Sequence, residues 1–159
     1  MADITLDAID RKILEIFQRD ARILNTELAD EVGLTPGPCL KRVKRLEAAG
    51  IISRYVTLLD REKIGQELLV FVAVTMDKQI KRNFDRFAEA MRKRPEVLEC
   101  HLVLGESDFL LKVVAPDLNK FQTFLLTHIS AADGVGNVVS TISIKPEKSS
   151  TVVPLLPRP

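Results

Sequence analysis

An α+β architecture is what this sequence predicts, with a helical first third followed by a region that alternates strands and helices. Three observations lead there. Apolar residues recur at helical spacing up to about residue 50, β-branched runs take over after Gly50, and the later elements read strand–helix–strand–strand–helix–strand. A length of 159 residues suits one domain of ordinary size or two small ones, and 46% hydrophobic with 28% charged residues is a folded, globular composition.

The first helix is carried by Ile9, Ile13, Ile16 and Phe17, one apolar stripe over about Leu6 to Asp20. Thr5 is the expected N-cap, and Asp7 and Asp10 fall in the first turns, where the helix dipole favours negative charge. A short second helix is expected from Thr26, capped by Asn25, to Val32, with Gly33 ending it. The third begins at Pro36, runs to Ala49 and stops at Gly50, following the usual asymmetry of Pro at starts and Gly past ends.

Ile51 to Leu59 is rich in β-formers and is expected to be a linking strand. The first domain is therefore residues 1–60, a three-helix (winged) helix-turn-helix, with a charged hinge over 61–67. Leu68 to Met76 is a nearly continuous apolar run, the pattern of a strand covered on both faces. Phe84, Phe87, Ala88 and Met91 line a helix over about Ile80 to Arg94, closed by Pro95. Val97 to Leu104 and Phe109 to Val114 form a hairpin around Gly105-Glu106-Ser107-Asp108. Leu118, Phe121, Leu125 and Ile129 keep helical spacing behind Asp117, and Val138 to Lys145 is the last strand. This order over 68–148 is the ferredoxin-like βαββαβ arrangement, with both helices on one sheet face. Apolar residues at nearly every strand position then require a partner on the other face. Pro146 belongs at the strand's end, and the tail over 149–159, with Pro154, Pro157 and Pro159, is expected to be extended and partly mobile.

Lys and Arg number 23 against 22 Asp and Glu, a net charge of +1, so any polyanion-binding surface must come from segregated charge. Aromatics make up 5% with no Trp, which disfavours a base-stacking single-strand binder. No apolar run is long enough to span a membrane, the start lacks a signal-peptide pattern, and a cytoplasmic location is expected. Cys39 and Cys100 form no metal-binding or disulfide framework, so neither a metal nor a cofactor is expected. Ser107, His101 and Asp108 are the sole triad-like set, of the kind chance supplies, and no catalytic role is expected.

The needed segregation lies on the third helix. With Leu28, Ala29, Val32, Leu34, Cys39, Val43 and Leu46 turned inward, four cations within five residues (Lys41, Arg42, Lys44 and Arg45) face or border the outside. A basic run alone is ordinarily a solvated face. Joined to the Ala29–Gly33–Cys39–Val43 spacing it fits a recognition helix in the major groove of double-stranded DNA. Thr35, Pro36, Gly37, Leu40 and Lys41 are assigned to the groove floor, and Arg42, Lys44, Arg45 and Arg54 to phosphates. Cys39, on the inner stripe, reads as a small core residue.

Leu34 to Glu47, followed by Gly50-Ile51-Ile52, closely resembles the helix-turn-helix of the Lrp/AsnC family of transcriptional regulators, and Leu6 to Leu14 is similar to that family's first helix. Glu99 to Gly105, the turn, and Phe109 to Lys112 resemble its regulatory domain. The resemblance implies a homo-oligomer in which dimers assemble to octamers, with a small-molecule effector, usually an amino acid, held between dimers near the turn. On that basis Gly105, Glu106, Ser107 and Asp108 are candidate effector contacts, with Leu102 and Leu104 shaping an apolar pocket and Thr141 and Ser143 supplied by a neighbouring chain. The turn departs from the family's Gly-Asp-aromatic-Asp-aromatic pattern at Glu106 and Ser107, which leaves effector identity open. Two other readings remain: an architectural DNA-organising protein without effector sensing, and an enzyme or metabolite-binding module whose N-terminal helices serve only for dimerisation.

Overall fold

The computed structural model describes residues 5–77 and 81–155. Ile80 of the expected fourth helix, and Pro157 and Pro159 of the tail, lie outside the described residues. The chain forms two compact units, Met1–Leu58 together with Lys148–Pro159, and Leu59–Glu147.

The first unit holds α1 (Ala8–Phe17), α2 (Asn25–Val32) and α3 (Pro36–Ala48). They close on Ile13, Leu14, Leu28, Ala29, Val32, Cys39, Val43 and Leu46. Asp7, not Thr5, caps α1. Its carboxylate accepts from the Asp10 N–H at 2.8 Å, while Asp10 accepts from the Asp7 N–H at 3.2 Å, a reciprocal capping box. Asn25 lies inside α2 and donates through its side chain to the Pro36 carbonyl at 2.9 Å, so it ties α2 to the start of α3 instead of capping α2. Gly33 ends α2 at φ 72°, a left-handed conformation that lets Leu34 N–H bond the Ala29 carbonyl at 2.8 Å.

A further expectation fails in this unit. Ile51 to Leu59 forms no strand, because a strand needs a ladder partner and the described residues offer none; Val56, Leu58 and Leu59 are exposed. The described part of the tail, residues 149–155, is extended and makes contacts with the helices. Val153 bonds the Gln18 side chain through both its N–H and its carbonyl, and Leu155 packs against the helical core.

The hydrogen bond from Asp10 N–H, and then the Arg42 guanidinium, hold the Asp7 carboxyl below its ordinary range. A lowered folded-state pKa stabilises above the unfolded value and is lost as pH falls through the folded one. Asp7→Asn keeps a capping oxygen but removes the charge. It is expected to lower the urea midpoint at pH 6, the gap closing as pH drops below about 3.9.

The second unit is a four-stranded antiparallel sheet in the order β2–β3–β1–β4, built from β1 (Leu68–Met76), β2 (Val97–Leu102), β3 (Phe109–Ala115) and β4 (Val135–Ile142). Helices α4 (Lys81–Arg92) and α5 (Leu118–Phe124), the latter continued by a wider π turn over Leu125–Ile129, cover one face. Val70, Val72, Val74 and Met76 meet Phe87, Met91, Phe121 and Ile129 there. Among the described residues no element covers the opposite face, and Phe71 on it is 40% exposed. β2 stops two residues short of the expected end because its ladder closes at Leu102↔Phe109, after which Val103 N–H bonds the Asp108 carbonyl. β4 starts and ends three residues earlier than expected, since β1 begins to pair it at Met76↔Val135 and runs out past Val70↔Ile142.

Candidate nucleic-acid interface and effector turn

Inward packing of Cys39, Val43 and Leu46 sets the rotation of α3 and turns Thr35, Pro36, Gly37, Leu40, Lys41 and Lys44 to solvent. Pro at the first helical position needs no N–H partner, which suits an open N-terminus. Burial pushes the Cys39 thiol up, against a smaller opposing pull from Arg42, so the group is a neutral core filler.

The four cations divide. Lys41 and Lys44 have no ion pair among the described residues, and Arg54 in the linking stretch is likewise exposed. Arg42, assigned to phosphate from the sequence, is committed within its own unit. Its guanidinium reaches back to α1, 2.6 Å from Asp7 and 2.8 Å from Asp10, and both carboxylates raise its pKa. Arg45 also bonds Asp10, though nearly half of its side chain stays open to solvent. Asp10 is the sole fully buried charged residue among those described, and two arginines answer it. Both members of the brace repeat at i, i+3 (Asp7/Asp10 and Arg42/Arg45), a signal present in the sequence but read there as dipole and phosphate chemistry. Tyr55 extends the same unit's polar contacts by donating to Glu47 at 2.8 Å, and burial plus that carboxylate push its pKa up to about 12.

In the second unit the turn after β2 brings Leu104, Gly105, Glu106, Ser107 and Asp108 to one end of the sheet. Gly105 adopts φ 157° with no atom within 4 Å of where a Cβ would stand, leaving its backbone open to approach. Asp108 is half-buried and occupied. Its carboxylate accepts from Met76 N–H at 2.7 Å while its own N–H bonds the Val74 carbonyl at 2.9 Å, so it knits the turn to β1. That leaves Glu106, exposed, as the free carboxylate. Leu102 and Leu104 are exposed and form no enclosed pocket by themselves. Thr141 pairs with Phe71, and Ser143 N–H bonds the Leu69 carbonyl, at the end of β1 opposite the turn. A single chain therefore does not unite them with Glu106. His101 pairs with Glu99 at 3.1 Å, and no hydrogen bond among the described residues links it to Ser107 or Asp108. Among the described residues no group of His, Cys, Asp and Glu is arranged to hold a metal, and no helix is long and apolar enough to cross a membrane.

Residues 6–53 match the family model for winged helix-turn-helix DNA-binding, and residues 69–153 match the Lrp/AsnC ligand binding domain. The chain belongs to the Lrp/AsnC family. It is 41% identical to the leucine-responsive regulatory protein of Rhizobium meliloti over 150 residues, 94% of this chain and 96% of that one. Identity to the leucine-responsive regulatory protein of Escherichia coli K12 is also 41%, over 145 residues covering 91% and 88% of the two chains. Among solved structures, the L-Met complex of a transcriptional regulator from Neisseria meningitidis superposes with a TM-score of 0.91 at 39% identity, covering 94% of this chain and 97% of that one. As an Lrp/AsnC protein this chain is a transcriptional regulator with a helix-turn-helix DNA-binding domain joined to a ligand-binding domain.

Proposed function

We propose that the protein binds operator DNA as a dimer or a higher assembly, α3 entering the major groove, and that an amino acid held near Gly105–Asp108 biases that assembly. The reading rests on one observation: α3 hides Cys39, Val43 and Leu46 and presents Leu40, Lys41 and Lys44 with neither lysine ion-paired among the described residues. Thr35, Pro36 and Gly37 lie at its open N-terminus, suited to base edges, while Lys41, Lys44 and Arg54 supply the charge for base and phosphate contacts. Arg45 adds to the phosphate surface through its solvent-facing side, whereas Arg42 fixes the helix in place.

The assembly is supported by the uncovered sheet face of β1, β3 and β4, where Phe71, Leu110 and Val139 are 38–54% exposed. At the turn, Glu106 is the acceptor for an effector's ammonium group and the open backbone at Gly105 approaches its carboxylate, with Leu102 and Leu104 as apolar contacts and Thr141 and Ser143 contributed by a second chain. L-methionine occupies the Neisseria relative, which supports an amino-acid effector without fixing which one.

Selection of bound genomic fragments by the purified protein, followed by gel-shift salt titration, tests the DNA reading. Lys41→Ala with Lys44→Ala is expected to lower the slope of log K against log salt by about two units. Arg42→Leu is expected to leave the slope nearly unchanged while lowering thermal stability. Equal slopes in wild type and the double lysine variant would remove α3 from the interface. A thermal-shift screen of the twenty amino acids tests the effector. If none shifts the melting temperature or the operator affinity, an effector-free DNA-organising role replaces the sensing one.

A further inference from the structure

A cavity separate from the turn lies within the ligand-binding unit where β3, its exit at Ala115–Pro116 and α5 meet the Pro95–Glu96 bend. It encloses about 430 Å³, enough for a molecule of amino-acid size. Val114, Ala115 and Phe124 make apolar wall, and Glu96, Lys120 and His128 supply polar groups.

Glu96 is the unusual member. Its Oε2 is buried and has no hydrogen-bond partner among the described residues, although its backbone carbonyl is committed to Val114 N–H at 2.9 Å. A carboxylate whose one oxygen is withdrawn from water without a donor is costly, so a cationic group bound at this carboxylate is favoured. The nearby hydroxyls are already spent: Thr123 donates to the Asn119 carbonyl at 2.9 Å and Thr127 to the Thr123 carbonyl at 2.6 Å. Lys120, on the same cavity, has no ion pair among the described residues. The cavity lining therefore includes a carboxylate and an ammonium, neither in an ion pair among the described residues, together with apolar wall.

We infer that this cavity is a further ligand site, taking a small zwitterion whose ammonium group pairs with the Glu96 carboxylate and whose carboxylate pairs with Lys120, its side chain lying against Val114 and Phe124. The inference goes beyond the turn reading and uses none of its residues. Two sites in one unit would let one amino acid act at different concentrations, or two act together.

Equilibrium dialysis of the full-length protein against each of the twenty common amino acids, radiolabelled, tests it. At least one is expected to bind with an affinity that falls tenfold or more in Glu96→Gln and in Lys120→Met but not in Glu106→Gln. Propylamine and propionate, each carrying one end of the zwitterion, are expected to compete weakly and separately. Glu96→Gln is isosteric, and operator binding reports its folding. Lys120 is exposed, so Lys120→Met carries the test should the first variant fail to fold. Loss of binding in Glu106→Gln with full binding in Glu96→Gln and Lys120→Met overturns this site and leaves the turn reading standing. Wild-type protein that binds no amino acid overturns it as well.

Discussion

Asp10→Ala is expected to destabilise the helical unit by about 3–5 kcal/mol, the range for removing one partner from a buried ion pair. Asp10 is fully buried and holds Arg42 and Arg45 of α3 while accepting from the Asp7 N–H at the start of α1. Alanine deletes all three contacts and leaves Arg42, only 28% exposed, with Asp7 alone. At about 4–8 °C per kcal/mol for a unit of this size, the melting temperature should fall by more than 10 °C. Tyr55 is the chain's single tyrosine in the absence of Trp, and it lies in this unit, so its fluorescence follows the transition. DNA affinity should weaken in the same variant, since α3 loses its anchor to α1. A change under about 1 kcal/mol would mean that solvent replaces the carboxylate at no cost and that the brace is incidental.

Phe109→Ala is expected to destabilise the sheet unit by a similar amount, about 3–5 kcal/mol, through lost burial and the cavity left behind. Its ring lies 4.8 Å from that of Phe87 and 5.5 Å from that of Phe84, and the residue is 2% exposed. Phe109 also opens β3, pairing with Leu102 on one side and Val74 on the other, one residue past Asp108. Hydrogen exchange should speed up at the Asp108 and Met76 amides together, coupling core packing to the Gly105–Asp108 turn. Urea unfolding followed by far-UV circular dichroism measures the first effect. Protection unchanged at those two amides would show that the turn is held by Asp108 alone.

Most of the fold was legible because it is local. The stripe Cys39–Val43–Leu46 and the left-handed Gly33 are short-range signals, and they placed the turn between α2 and α3 correctly. Strand ends were misplaced by two or three residues because a ladder ends where its neighbour ends, and Val103 and Val135 do not encode the length of β1. The linking stretch had the composition of a strand but no partner. Charge partners were harder still. Arg42 and Asp10 are 32 residues apart, and nothing local distinguishes a guanidinium aimed at phosphate from one aimed at a carboxylate inside the same unit. The Glu96–Lys120 cavity left no sequence signal, since it depends on where β3 exits beside α5.

The clasp between Gln18 and Val153 has a consequence for biosynthesis. Because Leu155 packs against the core that α1–α3 build, the helical unit lacks that packing residue until Leu155 has emerged from the ribosome, whereas the intervening sheet unit is complete once Glu147 has emerged. A nascent regulator would thus acquire its sensor before its DNA-reading surface is fully sealed.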